Sequence, residues 1–267
     1  MKTNKVSIIL PTYNEAMNIL SMISEIVDNM KDDNYEIIVV DDNSPDGTSQ
    51  VVEQAIVNFP QIKLIRRTKN RGLVPSIIEG IEKAEGDVCI WMDADLTMSP
   101  SLISKFIEHL EGGADLVLGS RYINGGGMKG SNTNGDKTSF LKKLKNVHIS
   151  EDSLISLIIS KVGNLLMRFI LDPSIHDYTS GFFGGKKEWL MNFGLEGNTI
   201  DYCITLPYKA KRYGFNVVEI PMILTTRKYG ESKTSNTFYS ILIIIYQCYK
   251  KALHLRFEQM QKIKFFK

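Results

Sequence analysis

Five short apolar runs alternate with segments whose apolar residues recur at helical spacing, and this alternation restricts the fold more than any other feature of the chain. The runs are Val6 to Leu10, Tyr35 to Val40, Ile62 to Ile65, Asp87 to Met92 and Asp115 to Ser120. The first of the intervening segments carries Ile19, Met22, Ile23, Ile26, Val27 and Met30; the last carries Leu102, Ile103, Phe106, Ile107 and Leu110. Short, mainly apolar strands joined by amphipathic helices predict a mostly parallel sheet covered on both faces. Such a sheet binds ligands at the carboxyl ends of its strands. The residues expected there are Pro11-Thr12-Tyr13, Asp41-Asp42, Asp93-Ala94-Asp95 and Ser120-Arg121.

These ends are acidic, basic and aromatic, so the chemistry belongs to them. Asp93 and Asp95 lie two apart, which sets both carboxylates toward one side. Paired hard oxygen donors suit Mg2+ or Mn2+, ions that also take phosphate oxygens. The bland alternative is a pair of solvated turn aspartates. In Asp41-Asp42 an acid can accept from a ribose hydroxyl or a base amine, or it can cap the turn formed by Asn43, Ser44 and Asp46; the two uses are compatible, one per aspartate. RKYGESK, residues 227 to 233, has the cations and glycine of an anion-holding loop. Gly125, Gly127 and Gly130 match a dinucleotide fingerprint in letters only, because polar residues and no helix follow. The four histidines show no metal spacing.

Composition removes other classes. The chain has 267 residues, 43% hydrophobic and 23% charged, with a net charge of +2. That is a globular balance with no global preference for nucleic acid. Cys89, Cys203 and Cys248 are widely spaced and build no zinc or disulfide framework, which fits a reduced, cytoplasmic compartment. MKTNKVSIILPTYNE lacks the apolar core of a signal peptide, and no run reaches the ~18 apolar residues of a spanning helix.

Past Arg121 the pattern breaks. Residues 124 to 150 are glycine-rich and then basic, with Lys142, Lys143 and Lys145, and read as a mobile loop. Helices are expected over 153 to 171 and 200 to 213, and a strand over Val217 to Thr226. From Asn236 a helix begins apolar and becomes basic, with Lys250, Lys251, Arg256, Lys262, Lys264 and Lys267. Lying in a membrane interface is one physical reading of it; packing on the protein or on another subunit is the other.

VSIILPTYNE, VVDDNSPDGT, MDADL, GSRY, TSGFF and GESK occur in this order from Val6 to Lys233. Together they resemble the polyprenol-phosphate glycosyltransferases, most closely the dolichol-phosphate mannosyltransferase-like enzymes. The resemblance implies the GT-A fold, an α/β nucleotide-diphospho-sugar transferase architecture. It implies a catalytic domain over 1 to 235 and a basic amphipathic membrane-interface helix over 236 to 267. The implied reaction moves a sugar, mannose by default, from a nucleotide-diphosphate sugar to dolichyl or polyprenyl phosphate with inversion. Pro11, Tyr13, Glu15 and Asp42 would line the nucleotide, and Asp93 and Asp95 would hold Mg2+ or Mn2+. Arg227, Ser232 and Lys233 would contact the donor phosphates; Arg121 and Ser160 would hold the acceptor phosphate. The implied location is peripheral, on the cytoplasmic face of a membrane. Asp177 is a family position without an assigned role. Thr97 stands where relatives often carry glutamine, and Ser156 where they carry a basic residue. Competing expectations are a transferase acting on a sugar hydroxyl, which needs a base beside the acceptor, and a metal-independent binding or scaffold protein that keeps only the fold.

Overall fold

The computed structural model describes residues 5–30, 34–128, 151–197, 201–227, 229 and 238–258. The strand–helix alternation is realised as β1 (Val6–Thr12), α1 (Ile19–Asn29), β2 (Tyr35–Asp41), α2 (Thr48–Ile56), β3 (Ile62–Arg66), α3 (Leu73–Lys83), β4 (Val88–Trp91), α4 (Ile103–Glu111) and β5 (Leu116–Ser120). Then come β6 (Gly127–Met128), α5 (Glu151–Ile170), β7 (Phe183–Lys186), α6 (Lys187–Phe193), α7 (Tyr202–Arg212), β8 (Val217–Pro221), β9 (Ile223–Leu224) and α8 (Phe238–Phe257).

The main sheet has the order β3-β2-β1-β4-β7-β5-β8. All seven residues of β2 are buried, as a central parallel strand requires. Alternation divides its two faces. Ile8, Leu10, Ile37 and Val39 pack with Ile19, Met22, Ile26, Val52 and Phe106. Ile9, Ile38 and Val40 pack with Val74, Ile77, Ile81, Trp189 and Leu206 on the other side.

β7 departs from the parallel expectation. It runs antiparallel to both β4 and β5, wedged between them. Its sequence is FGGK. Gly184 is required by close approach: an added Cβ would lie 2.9 Å from Phe106 Cδ1 and 3.1 Å from Ile90 Cγ1. The segment DYTSGFFGG reads in the sequence as a turn plus a strand, but its glycines leave no side-chain alternation that would show where the strand pairs.

The lower end of the sheet is tied by Glu36, which is 1% exposed. Its Oε1 accepts from Ser7 Oγ at 2.6 Å and from the Glu85 amide at 2.6 Å, and Lys63 Nζ lies 2.7 Å from Oε2. Burial alone raises this carboxyl's pKa, but Lys63, Ser7 and the Glu85 amide outweigh it and hold it below the ordinary value. A depressed folded pKa contributes stability above the unfolded value of about 4.3 and loses it as pH falls through the folded one. Glu36→Gln is therefore expected to melt lower than the wild type at neutral pH. Its melting temperature should also fall less than the wild type's between about pH 6 and about pH 3; parallel acid limbs for the two proteins would contradict this.

The C-terminal helix α8 is docked on the body by one side. Cys248, Ala252 and Leu255 pack with Met167 of α5, Leu171 just past it, and Ile204 and Tyr208 of α7. Arg212 donates to the Leu255 carbonyl at 2.9 Å, and Tyr249 Oη to the Gly163 carbonyl at 3.4 Å. Among the described residues no helix is long and apolar enough to cross a membrane.

Candidate active site

Because β1, β2, β4 and β5 all point the same way, their carboxyl ends open onto one cleft of about 1030 Å³. Pro11, Tyr13, Glu15, Asp42, Asp93, Asp95, Arg121 and Arg227 all line it. Arg71, Thr179 to Gly181, Tyr202, Cys203 and Gln247 also line it.

At the end of β4 the chain turns through Leu96, whose φ of 63° is left-handed. A leucine held there costs roughly 1–3 kcal/mol, a strain that is retained only where the surroundings enforce it. The turn brings the Thr97 amide and hydroxyl to Asp95 Oδ1 at 3.0 and 2.6 Å. Thr97, which departs from the family's common glutamine, is thus the residue that fixes this carboxylate. Asp95 is 2% exposed, and its Oδ2 lies 2.6 Å from Arg227 Nη2. Asp93 is half-buried on the same wall, beside Gly181.

Among the described residues no three His, Cys, Asp or Glu side chains converge as a metal cage. Asp93 and Asp95 offer two hard oxygen donors on an open cleft wall. That donor set fits Mg2+ or Mn2+ completing its shell with phosphate oxygens and water, and does not fit a closed all-protein site.

The two neighbouring aspartates of β2 divide their work. Asp42 lines the cleft, with Oδ1 accepting from Arg67 Nη1 at 2.6 Å and Ser76 Oγ at 3.1 Å, and Oδ2 accepting from the Gly72 amide at 2.6 Å. Arg67 is 4% exposed and also binds Glu79 Oε2 at 2.8 Å. Asp41 corrects the sequence reading. It is fully buried and absent from the cleft lining. Its oxygens accept from Thr12 Oγ1, Ser44 Oγ and N, and Ser49 Oγ. It caps the turn and does not line the cleft.

Arg121 follows β5 and is clamped. Its Nε donates to Asp177 Oδ2 at 2.8 Å, and its Nη2 to Asp177 Oδ1 at 2.7 Å and to Thr179 Oγ1 at 2.5 Å; the Arg121 amide also reaches Asp177 Oδ2 at 3.0 Å. Asp177 is fully buried. Burial works against the guanidinium's charge, but the Asp177 carboxylate outweighs it and raises the pKa, so Arg121 stays charged. Nη1 makes no hydrogen bond to the described residues, leaving a donor edge on a residue that lines the cleft.

Ser160 is not among the cleft-lining residues; its hydroxyl meets Tyr122 Oη at 2.8 Å. Ser232, Lys233, Lys142, Lys143 and Lys145 lie outside the described residues, as does most of the stretch expected to form a mobile loop.

Sequence reasoning missed Arg67, Arg71, Thr179 and Gln247. Arg71 sits over the Tyr13 ring at 5.0 Å. Arg67 directly after β3, with Asn70 (φ 49°) and Gly72 (φ 139°) following, is a signal of a shaped loop. Gln247 gives no such signal, since only the docking of α8 brings it to the cleft.

Comparison with known proteins agrees with this geometry. The profile of glycosyl transferase family 2 matches residues 7–194. The chain is 38% identical over 247 residues to a protein of Pyrococcus furiosus named dolichol-phosphate mannosyltransferase, covering 92% of this chain and 64% of that one. It is 30% identical over 242 residues to the polyprenol monophosphomannose synthase of Mycolicibacterium smegmatis, covering 88% and 83%. The chain therefore spans less than two thirds of the length of the Pyrococcus relative. A mannosyltransferase of Pyrobaculum calidifontis, solved with GDP-Man and Mn2+, shares the fold at a TM-score of 0.59 and 16% identity, over 94% of this chain and 63% of that one. Glucosyl-3-phosphoglycerate synthase of Mycobacterium tuberculosis, solved with Mn2+, UDP and phosphoglyceric acid, does so at 0.64 and 16%, over 96% and 80%.

Proposed function

The chain belongs to glycosyl transferase family 2, and on that premise we propose that it moves a sugar from a nucleotide-diphosphate sugar to a polyprenyl or dolichyl phosphate, inverting the anomeric centre. Mannose is the proposed sugar, after the names of the relatives, and guanosine the nucleoside that the sequence resemblance implies by default. The observation that carries the reading is that one cleft holds both the carboxylate pair after β4 and the clamped Arg121 after β5.

Asp42, positioned by Arg67, accepts from the nucleoside, while Pro11, Tyr13 and Glu15 shape its seat. Asp93 and Asp95 hold the divalent ion, which would neutralise charge on the departing diphosphate, commonly the largest catalytic contribution. Arg227 adds a guanidinium to the same phosphates, joined by Ser232 and Lys233. Arg121 presents Nη1 to the acceptor phosphate, and Ser160 supports that side through Tyr122. A phosphomonoester with a second pKa of about 6 is largely dianionic at neutral pH. It brings its own nucleophilic oxygen, so the cleft has only to orient it.

A lipid acceptor needs access from a membrane. We read the outward faces of α5 and α8 as that contact. Leu165 and Phe169 on α5 and Tyr246 and Phe257 on α8 are exposed, Phe169 by 89%. Lys161, Arg168, Lys250, Lys251 and Arg256 accompany them, and cations near an anionic leaflet, such as the cytoplasmic one, contribute about 1 kcal/mol each. The resulting arrangement is a catalytic body over 1 to 235 with a peripheral membrane-facing helix after it. The test supplies labelled GDP-mannose, UDP-glucose and UDP-N-acetylglucosamine in turn, with a short polyprenyl phosphate and Mn2+. Label should enter the lipid from one donor; transfer only to sugar hydroxyls would contradict the reading.

A further inference from the structure

We infer that Arg227 is a resident counter-cation that keeps the carboxylate pair closed to a bare metal ion until a nucleoside diphosphate draws it away. The inference rests on the reading of the cleft just given and adds an order of binding to it. Thr97 occupies Asp95 Oδ1 through two hydrogen bonds, so Oδ2 is the oxygen an incoming cation would take. The Arg227 guanidinium already sits on it at 2.6 Å, against a carboxylate that is almost wholly removed from water. A metal ion arriving alone must break a charge-assisted pair and then stand beside the displaced guanidinium.

The segment that delivers Arg227 is stitched to the same turn. The Thr225 amide donates to the Thr97 carbonyl at 2.8 Å, and Thr225 Oγ1 donates to the Leu96 carbonyl at 3.0 Å. Two residues beyond that anchor, Arg227 hangs on its own long side chain, 29% exposed. Its backbone tether can stay fixed while the guanidinium swings from Asp95 to a phosphate.

Charge balance decides when it swings. Asp93, Asp95 and Arg227 sum to about −1, and a divalent ion added to all three gives about +1 at close quarters. A diphosphate reverses the sign and offers oxygens to both the ion and the guanidinium. With only two carboxylates supplied by the described residues, those phosphate oxygens also complete the ion's shell. Metal and nucleotide therefore bind with positive coupling, each raising the affinity of the other by the same factor.

The experiment measures Mn2+ binding calorimetrically and by electron paramagnetic resonance, with GDP or UDP present or absent, for the wild type, Arg227→Ala and Arg227→Gln. The wild type should bind Mn2+ roughly tenfold more weakly without nucleotide than with it. Both variants should bind Mn2+ alone roughly tenfold more tightly than the wild type, while their affinity for GDP falls. The metal-free variants should also melt lower than the wild type, and Mn2+ should restore them. Equal affinity of all three proteins for Mn2+ alone would overturn the gate and leave the site intact. Failure of the wild type to bind Mn2+ even with nucleotide would overturn the reading of the cleft itself, and the gate with it.

Discussion

Asp95→Ala is expected to remove sugar transfer, with kcat/KM lower by a factor on the order of a thousand or more, while the protein stays folded. The loss is large because this carboxylate is fixed before any ligand arrives. Thr97 holds Oδ1 and the turn at Leu96 holds the backbone, so no neighbour can move in as a substitute. Truncation leaves Asp93 as a single donor on a half-exposed wall, which is too little to hold a hard divalent ion against water. The fold survives because the substitution removes a polar group from a cleft lining and opens no apolar core. The released Arg227 is partly exposed and finds water. Asp95→Asn separates charge from shape: the amide can still accept from Thr97, yet transfer should be lost as fully as in the alanine variant. Activity, Mn2+ binding and the far-ultraviolet melting curve should be read on the same preparation. Retained turnover in a folded Asp95→Ala protein would remove the metal assignment.

Arg121→Ala is expected to cost both activity and stability. The guanidinium is the partner of a carboxylate with no exposure, and stripping one member of a buried pair costs roughly 3–5 kcal/mol. Asp177 would keep the amides of residues 121 and 179 as donors at 3.0 and 3.1 Å, which do not replace a fork of two charge-assisted bonds. Arg121→Lys is the more informative change. It keeps the positive charge, so the protein should fold with a smaller penalty. A lysine cannot bind Asp177 through two nitrogens and still present a third to the cleft. The KM for polyprenyl phosphate should therefore rise about tenfold or more, with the KM for the nucleotide sugar nearly unchanged. Equal shifts in both constants would place Arg121 on the donor side.

The strands of the α/β body were legible because a parallel strand buried on both faces is mostly apolar, as the runs Ile8 to Leu10 in β1 and Ile37 to Val40 in β2 are. The cleft followed from them, since strand ends locate a site without any knowledge of its chemistry. Asp93, Asp95 and Arg121 were readable on that ground. The division between Asp41 and Asp42 was not. Adjacent aspartates look alike in a string, and only the hydroxyls of Thr12, Ser44 and Ser49 closing on one, with Arg67 closing on the other, tell them apart. β7 was legible as a strand in DYTSGFFGG, but its direction was not, because Gly184 and Gly185 carry no pattern and the antiparallel pairing depends on which gap in the sheet remains to be filled. Asp177 was recognisable as a family position, but its role as the anchor of Arg121 is a contact across 56 residues. Gln247 shows the same limit, because α8 carries it to the cleft from outside the matched family region.

The central claim is that this cleft joins a sugar to a lipid phosphate with the help of a divalent ion. The most direct test incubates the full chain with GDP-mannose labelled at C1, a short polyprenyl phosphate and Mn2+, then reads the anomeric centre of the lipid product by nuclear magnetic resonance. The product should be a mannosyl phosphate of β configuration, inverted from the α donor, and none should form once the metal is chelated. A product of retained α configuration, or undiminished synthesis after chelation, would contradict that claim.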